Sequence, residues 1–207
     1  MDHPRGRPGT GSVVIEFTPS TALIVVDVQN DFADPDGSLF VSGAPRVIDT
    51  INGHVAAAAA EGALVVRTQD WHPTHTPHFA KDGGIWPDHC VADTWGAAFH
   101  PDLEAAGPVV QKGTGGEDGY SGFTVRDPES GEESPTALHS LLQERAVTDV
   151  VVLGLATDYC VKDTAIDAAA LGYTTTLVAD GIAAVDLAPG DGARSVAAMV
   201  KAGVTVV

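Results

Sequence analysis

Cys160 is one of only two cysteines in the chain, and it stands where a thiol could act. It follows the apolar run DVVVLG (149–154) through the turn LATDY and opens an Ala-rich stretch, which places its sulfur near a helix N-terminus. The dipole and free N–H groups there favour a thiolate, and the same N–H groups could hold the oxyanion of an acyl transfer. An inert buried cysteine is the blander reading. Asp27 lies inside the strand-like run LIVVDVQ, where an ionised carboxylate is expensive without a partner. The blander reading is a carboxylate capping a nearby loop. Lys112 ends a third strand-like run, PVVQK, and a strand-end lysine is usually solvated. All three sit at or beside strand ends that converge in a parallel sheet, so a carboxylate, a cation and a thiol meet there.

A second chemistry lies in TQDWHPTHTPHF. Asp70 and His72 stand at i and i+2, on one face of an extended chain, where they can bind one ion together. His78 and His89 could complete the set. Carboxylate plus imidazole suits Zn, Fe or Mn, without the thiolates of a closed structural zinc site. For His75, His78 and His100 a surface loop position is the competing reading.

These residues need a scaffold, and the apolar pattern supplies one. Short β-branched runs at 22–29, 63–69, 108–112, 149–154, 174–180 and 204–207 are near-continuously apolar, as strands buried on both faces must be. The intervening segments read as helices: Ala44 to Glu61, Pro135 to Arg145 behind an N-cap Ser134, Cys160 to Leu171, and Gly192 to Ala202. Strand–helix alternation demands an α/β fold with a parallel sheet whose ligands bind outside the carboxyl ends of the strands. The polar interval 70–106 follows one such end and is too long to be structureless without a function.

With 207 residues the chain suits one domain, over 19–207, preceded by a flexible extension at 1–18. Asp and Glu outnumber Lys and Arg by 28 to 11, and a formal net charge of -17 repels phosphate backbones and anionic lipid. Nucleic acid and membrane are therefore not expected partners, and a homo-oligomer is compatible with the composition. Apolar runs fall short of the roughly 20 residues of a membrane span, and the start lacks a signal-peptide core, so a cytoplasmic location is expected.

Taken in order, DVQNDF (27–32), TQDWH (68–72), WPDHC (86–90), GYSGF (119–123) and GLATDYCV (154–161) resemble the isochorismatase-like hydrolases, and within them the nicotinamidases. The resemblance extends from about Thr21 to the C-terminus. It implies a three-layer, doubly wound sheet of about six parallel strands and a triad of Asp27, Lys112 and Cys160. It also implies one divalent metal (Zn, Fe or Mn) on Asp70, His72 and His89, with His78 as a further ligand and His75 as its competitor. Phe32, Trp86 and Tyr120 would wall a ring pocket, and a cis Leu155–Ala156 peptide would aim the N–H groups of Ala156 and Cys160 at an oxyanion. The substrate so implied is a small aromatic carboxamide, nicotinamide, with pyrazinamide also accepted. Isochorismatase relatives lack the nucleophilic cysteine, and the N-carbamoyl hydrolases generally lack the Asp-x-His pair. A non-catalytic domain on this scaffold would have a broken triad. GTGGEDG (113–119) departs from the pattern at the pocket edge.

Overall fold

The computed structural model describes residues 15–207. The chain runs β1 (Thr21–Val26), a single turn α1 (Asn30–Ala33), α2 (Ala44–Ala60), β2 (Leu64–Asp70), β3 (Val109–Lys112), then β4 (Thr124–Arg126) and β5 (Glu133–Pro135). It continues α3 (Leu138–Glu144), β6 (Asp149–Leu155), α4 (Lys162–Ala170), β7 (Thr174–Ala183), α5 (Asp191–Lys201) and β8 (Thr205–Val206). Six strands form one parallel sheet in the order β3-β2-β1-β6-β7-β8.

Successive strand residues point to opposite faces, and the continuous apolar runs divide accordingly. Leu23, Val25, Val65, Val151 and Leu153 pack with Val47, Ile48, Ile51 and Val55 of α2 on one face. Ala22, Ile24, Val66, Val150 and Val152 pack with Leu138 and Leu142 of α3 and Ala165 and Ala168 of α4 on the other. Two cores separated by one sheet make the three-layer α/β architecture that the sequence implied.

The chain leaves β1 toward β2 and β3, then returns to place β6 on the other side of β1. Strand order therefore reverses between β1 and β6, and a crevice opens at their carboxyl ends. Asp27 directly follows β1, and Cys160 follows β6. At that end β1 and β6 approach closely: a Cβ on Gly154, whose φ is +121, would lie 2.2 Å from the carbonyl oxygen of Val26. Only glycine fits there.

Several boundaries differ from expectation. Ser134 and Pro135 do not start a helix; they pair with Val125 and Thr124 in the small antiparallel hairpin β4–β5. The helix begins at Leu138, whose N–H donates to Thr136 Oγ1 at 3.1 Å. Cys160 lies in a π-turn, Thr157–Val161, immediately before α4 rather than in its first turn. Of the expected N-terminal extension, 1–14 lie outside the described residues. Phe17 is buried in the core with Ile15 against it, so packing begins before Thr21. Among the described residues no helix is long and apolar enough to cross a membrane.

Candidate active site

Asp27 turns out of β1 with φ +47, a left-handed conformation that a non-glycine residue adopts only when its surroundings impose it. Thr68 of β2 supplies the constraint. Its hydroxyl accepts from the Asp27 N–H at 3.2 Å and donates to Asp27 Oδ1 at 2.6 Å. The other oxygen, Oδ2, lies 2.9 Å from Lys112 Nζ. Lys112 enters from β3, where it is the register partner of Asp70, and its side chain is 1% exposed. The ammonium also donates to Asp70 Oδ1 and, at 3.5 Å, to Cys160 Sγ. One buried cation thus joins two carboxylates and a thiol.

Burial pulls the Lys112 ammonium toward neutrality, but the carboxylates of Asp27 and Asp70 outweigh it and hold its pKa well above the ordinary lysine value. Burial would raise Asp70; Lys112 and the nearby imidazoles reverse that and hold its carboxyl far below the usual range. Asp27 goes the other way. Burial, reinforced by the charge of Asp70, pushes its pKa up against the pull of Lys112. Cys160 is likewise pushed well up by burial and by both carboxylates, with Lys112 opposing. That push opposes the thiolate which a nearby helix start favours. The thiol stands close to a carboxyl group whose own pKa is raised, an arrangement that suits a nucleophile with its general base.

Asp70 divides its two oxygens between two centres. While Oδ1 holds Lys112, Oδ2 lies 3.7 Å from His72 Nε2 and 4.0 Å from His89 Nε2. His72, His78 and His89 each offer a ring nitrogen within 4.8 Å of the others. The His89 Nδ1–H donates to the carbonyl of Pro87 at 2.8 Å, which leaves Nε2 as the free lone pair. His78 is pushed down to about 4 by burial and by the other two imidazoles, so its imidazole is neutral near pH 7. His72 is 4% exposed, yet neither of its ring nitrogens has a hydrogen bond. Buried polar atoms are rarely left so. A divalent ion would satisfy one of them, and three imidazoles with a shared carboxylate fit such an ion. His75 is excluded from this cluster: it is solvent-exposed and bonded to Asp82 at 3.1 Å.

Both centres border a pocket lined by Phe32, Trp86 and Tyr120, together with Ala156 and Cys160. Trp86 Nε1–H donates to Tyr120 Oη at 3.1 Å, fixing one wall. The Leu155–Ala156 peptide is cis, as the motif implied. Sequence reasoning missed Tyr159, Leu39 and Val185, which also line the pocket. Tyr159 stands edge-on to Trp86 with ring centres 5.0 Å apart, and its position beside Cys160 was the available signal.

The sequence matches the isochorismatase domain over residues 21–207. The chain belongs to the isochorismatase family. Among its relatives in that family, the nicotinamidase of Escherichia coli K12 is 35% identical over 91% of this chain and 94% of its own. The pyrazinamidase of Pyrococcus horikoshii, solved in complex with zinc, is 37% identical, with a TM-score of 0.81 over 91% of this chain and 99% of that one. PnC1 of L. infantum, solved with nicotinate, is 34% identical, with a TM-score of 0.84 over 94% and 96% of the two chains.

The glycine-rich departure now has a physical reason at one position. Gly113 follows Lys112 with φ +78, and a Cβ there would lie 2.6 Å from His72 Nδ1. Gly113→Ala is expected to displace the His72 ring and weaken divalent-metal affinity by roughly 10- to 100-fold, the usual cost of disturbing a ligand's support. Metal titration by calorimetry checks this; unchanged affinity would mean that the His72 ring is free to shift.

Proposed function

We propose that this protein is a nicotinamidase that hydrolyses nicotinamide to nicotinate and ammonia through a thioester on Cys160. The observation that carries the reading is Lys112 in contact with both Asp27 and Cys160 beside an aromatic pocket, with Asp70 linking Lys112 to the histidine cluster through His72 and His89. The nicotinamidase and pyrazinamidase relatives support the substrate class. A single domain over 19–207 carries the whole site, and two free cysteines suit a cytoplasmic setting.

The ring enters between Phe32, Trp86 and Tyr120 and presents its carboxamide to Cys160. Asp27 takes the thiol proton as Sγ attacks the carbonyl carbon, and the N–H groups of Ala156 and Cys160 receive the oxyanion. Collapse expels ammonia, which leaves with the proton from Asp27. Asp27 then deprotonates a water that attacks the thioester, and it returns that proton to the departing sulfur. Lys112 stays charged throughout and offsets the negative charge that moves between Asp27 and Cys160. Asp70, His72, His78 and His89 would hold one divalent ion, Zn, Fe or Mn, which supplies a Lewis acid for the ring nitrogen or a bound water.

The direct test is ammonia release from nicotinamide by purified protein, before and after chelation. Turnover is expected, with loss on chelation and recovery on adding back zinc, iron or manganese; no release with any of these metals would refute the reading. Benzamide has the same shape without the ring nitrogen, so wild-type kcat/KM for it is expected to be lower by roughly 10²-fold or more. Equal use of both amides would remove the ring nitrogen from recognition.

A further inference from the structure

The nucleophile centre has the donor set of a metal site with an ammonium in its midst. One oxygen each from Asp27 and Asp70 and the Cys160 sulfur lie within 4.8 Å of one another, and all three residues are buried. Lys112 Nζ reaches all three. Asp27 Oδ2 is wholly buried and has no hydrogen bond beyond that ion pair. Two carboxylates and a thiol in this spacing suit zinc or a softer divalent ion. Asp70 meanwhile turns its other oxygen to His72 and His89. A carboxylate shared between two cation positions is the arrangement of two-metal hydrolytic sites.

We propose that Lys112 has a second role: its ammonium occupies what would otherwise be a second metal position, and so keeps divalent cations off the Cys160 sulfur while the histidine cluster beside it takes one. A catalytic thiol this close to a metal centre needs such protection, because zinc binds thiolate strongly and coordination withdraws charge from the sulfur, making it a weaker nucleophile. Without Lys112 the two buried carboxylates have no counter-charge between them, a situation costly enough to draw in a cation. Cys160 then releases its proton to solvent as the metal–sulfur bond forms.

The probe is cadmium added to metal-stripped protein, read as bound equivalents by dialysis and as the ultraviolet absorption of cadmium–thiolate bonds. Wild type is expected to bind one equivalent without thiolate absorption. Lys112→Met is expected to bind two, with the absorption. Adding Cys160→Ala to Lys112→Met removes the second equivalent and the absorption although Cys90 remains; adding His72→Ala instead preserves the absorption. A Cys160-dependent absorption in wild type overturns the proposal, as does a single equivalent without absorption in folded Lys112→Met. Should Lys112→Met fail to fold by circular dichroism, wild type decides: alkylation of Cys160, mapped by peptide, persists in saturating cadmium, and its loss overturns the proposal. No arm involves a substrate, so these outcomes are independent of the amidase reading.

Discussion

Cys160→Ala and Asp27→Asn are each expected to lower kcat for nicotinamide by at least about 10³-fold, and the double variant to lose little more, because residues that act as one unit are not additive. The fold should survive both changes. Cys160 is a small part of its core cluster, and Asp27→Asn leaves Lys112 its partner in Asp70. Stability makes the second variant the more informative one. The Asp27 pKa is raised in the folded protein, first by burial and then by Asp70, so its protonated form favours folding. That contribution is present below the unfolded value and lost as pH rises through the folded one. Once ionised, Asp27 therefore works against the fold, and Asp27→Asn is expected to match or exceed the wild-type Tm at pH 7, with any gain fading in acid as wild-type Asp27 takes up its proton. Thermal unfolding at pH 7 and in acid, beside steady-state kinetics, checks both halves. A Tm well below wild type, or a modest and additive loss of kcat, would mean that the strand-end carboxylate is a structural cap.

Such a trade of stability for chemistry helps explain what was legible in the sequence. The sheet was legible because strands buried on both faces read as unbroken apolar runs, and β1, with every residue buried, is the clearest example. Asp27 was legible for the converse reason, since a charge inside such a run is costly unless it has a use. The hairpin β4–β5 was not legible: it is largely exposed and carries no apolar alternation, and Ser134–Pro135 imitates the start of a helix. The upward push of burial on the Cys160 thiol was hidden as well. Its position in a π-turn and its burial between two carboxylates depend on contacts across β1, β2 and β6, which no local pattern records. The supports of the site were equally non-local. Gln29 grips Asp70 on both sides of its backbone, accepting from its N–H at 2.8 Å and donating to its carbonyl at 2.7 Å. Asp31 Oδ2 accepts from the N–H of Cys90 at 2.7 Å, beside His89. The motif DVQNDF marked these residues without saying what they hold.

Asp70→Asn should produce the opposite stability result and a comparable loss of rate. The change touches both centres at once, because Oδ1 holds Lys112 and Oδ2 faces His72 and His89. Divalent-metal affinity is expected to fall by at least 10- to 100-fold, the loss that follows even a change outside the ligand shell. Lys112 would keep Asp27 alone as its counter-charge, strengthening its hold on the base that must accept the Cys160 proton. Turnover is therefore expected to fall by about 10³-fold or more and to recover only in part at saturating metal, since added ion cannot restore the bond to Lys112. The folded pKa of Asp70 is depressed: burial would raise it, but Lys112 and the imidazoles prevail. Its contribution to stability is thus present above the unfolded value of about 3.9 and is lost as pH falls through the folded one. The Tm of Asp70→Asn should lie clearly below wild type at pH 7, and the gap should close as pH falls below about 4, where Asp70 begins to lose the advantage of its charge. Thermal unfolding from pH 3 to pH 8 in chelator, with kinetics at saturating zinc, separates the two roles. Full recovery of turnover with metal would reduce Asp70 to a ligand alone, and an unchanged Tm at pH 7 would show that its buried charge contributes nothing to the fold.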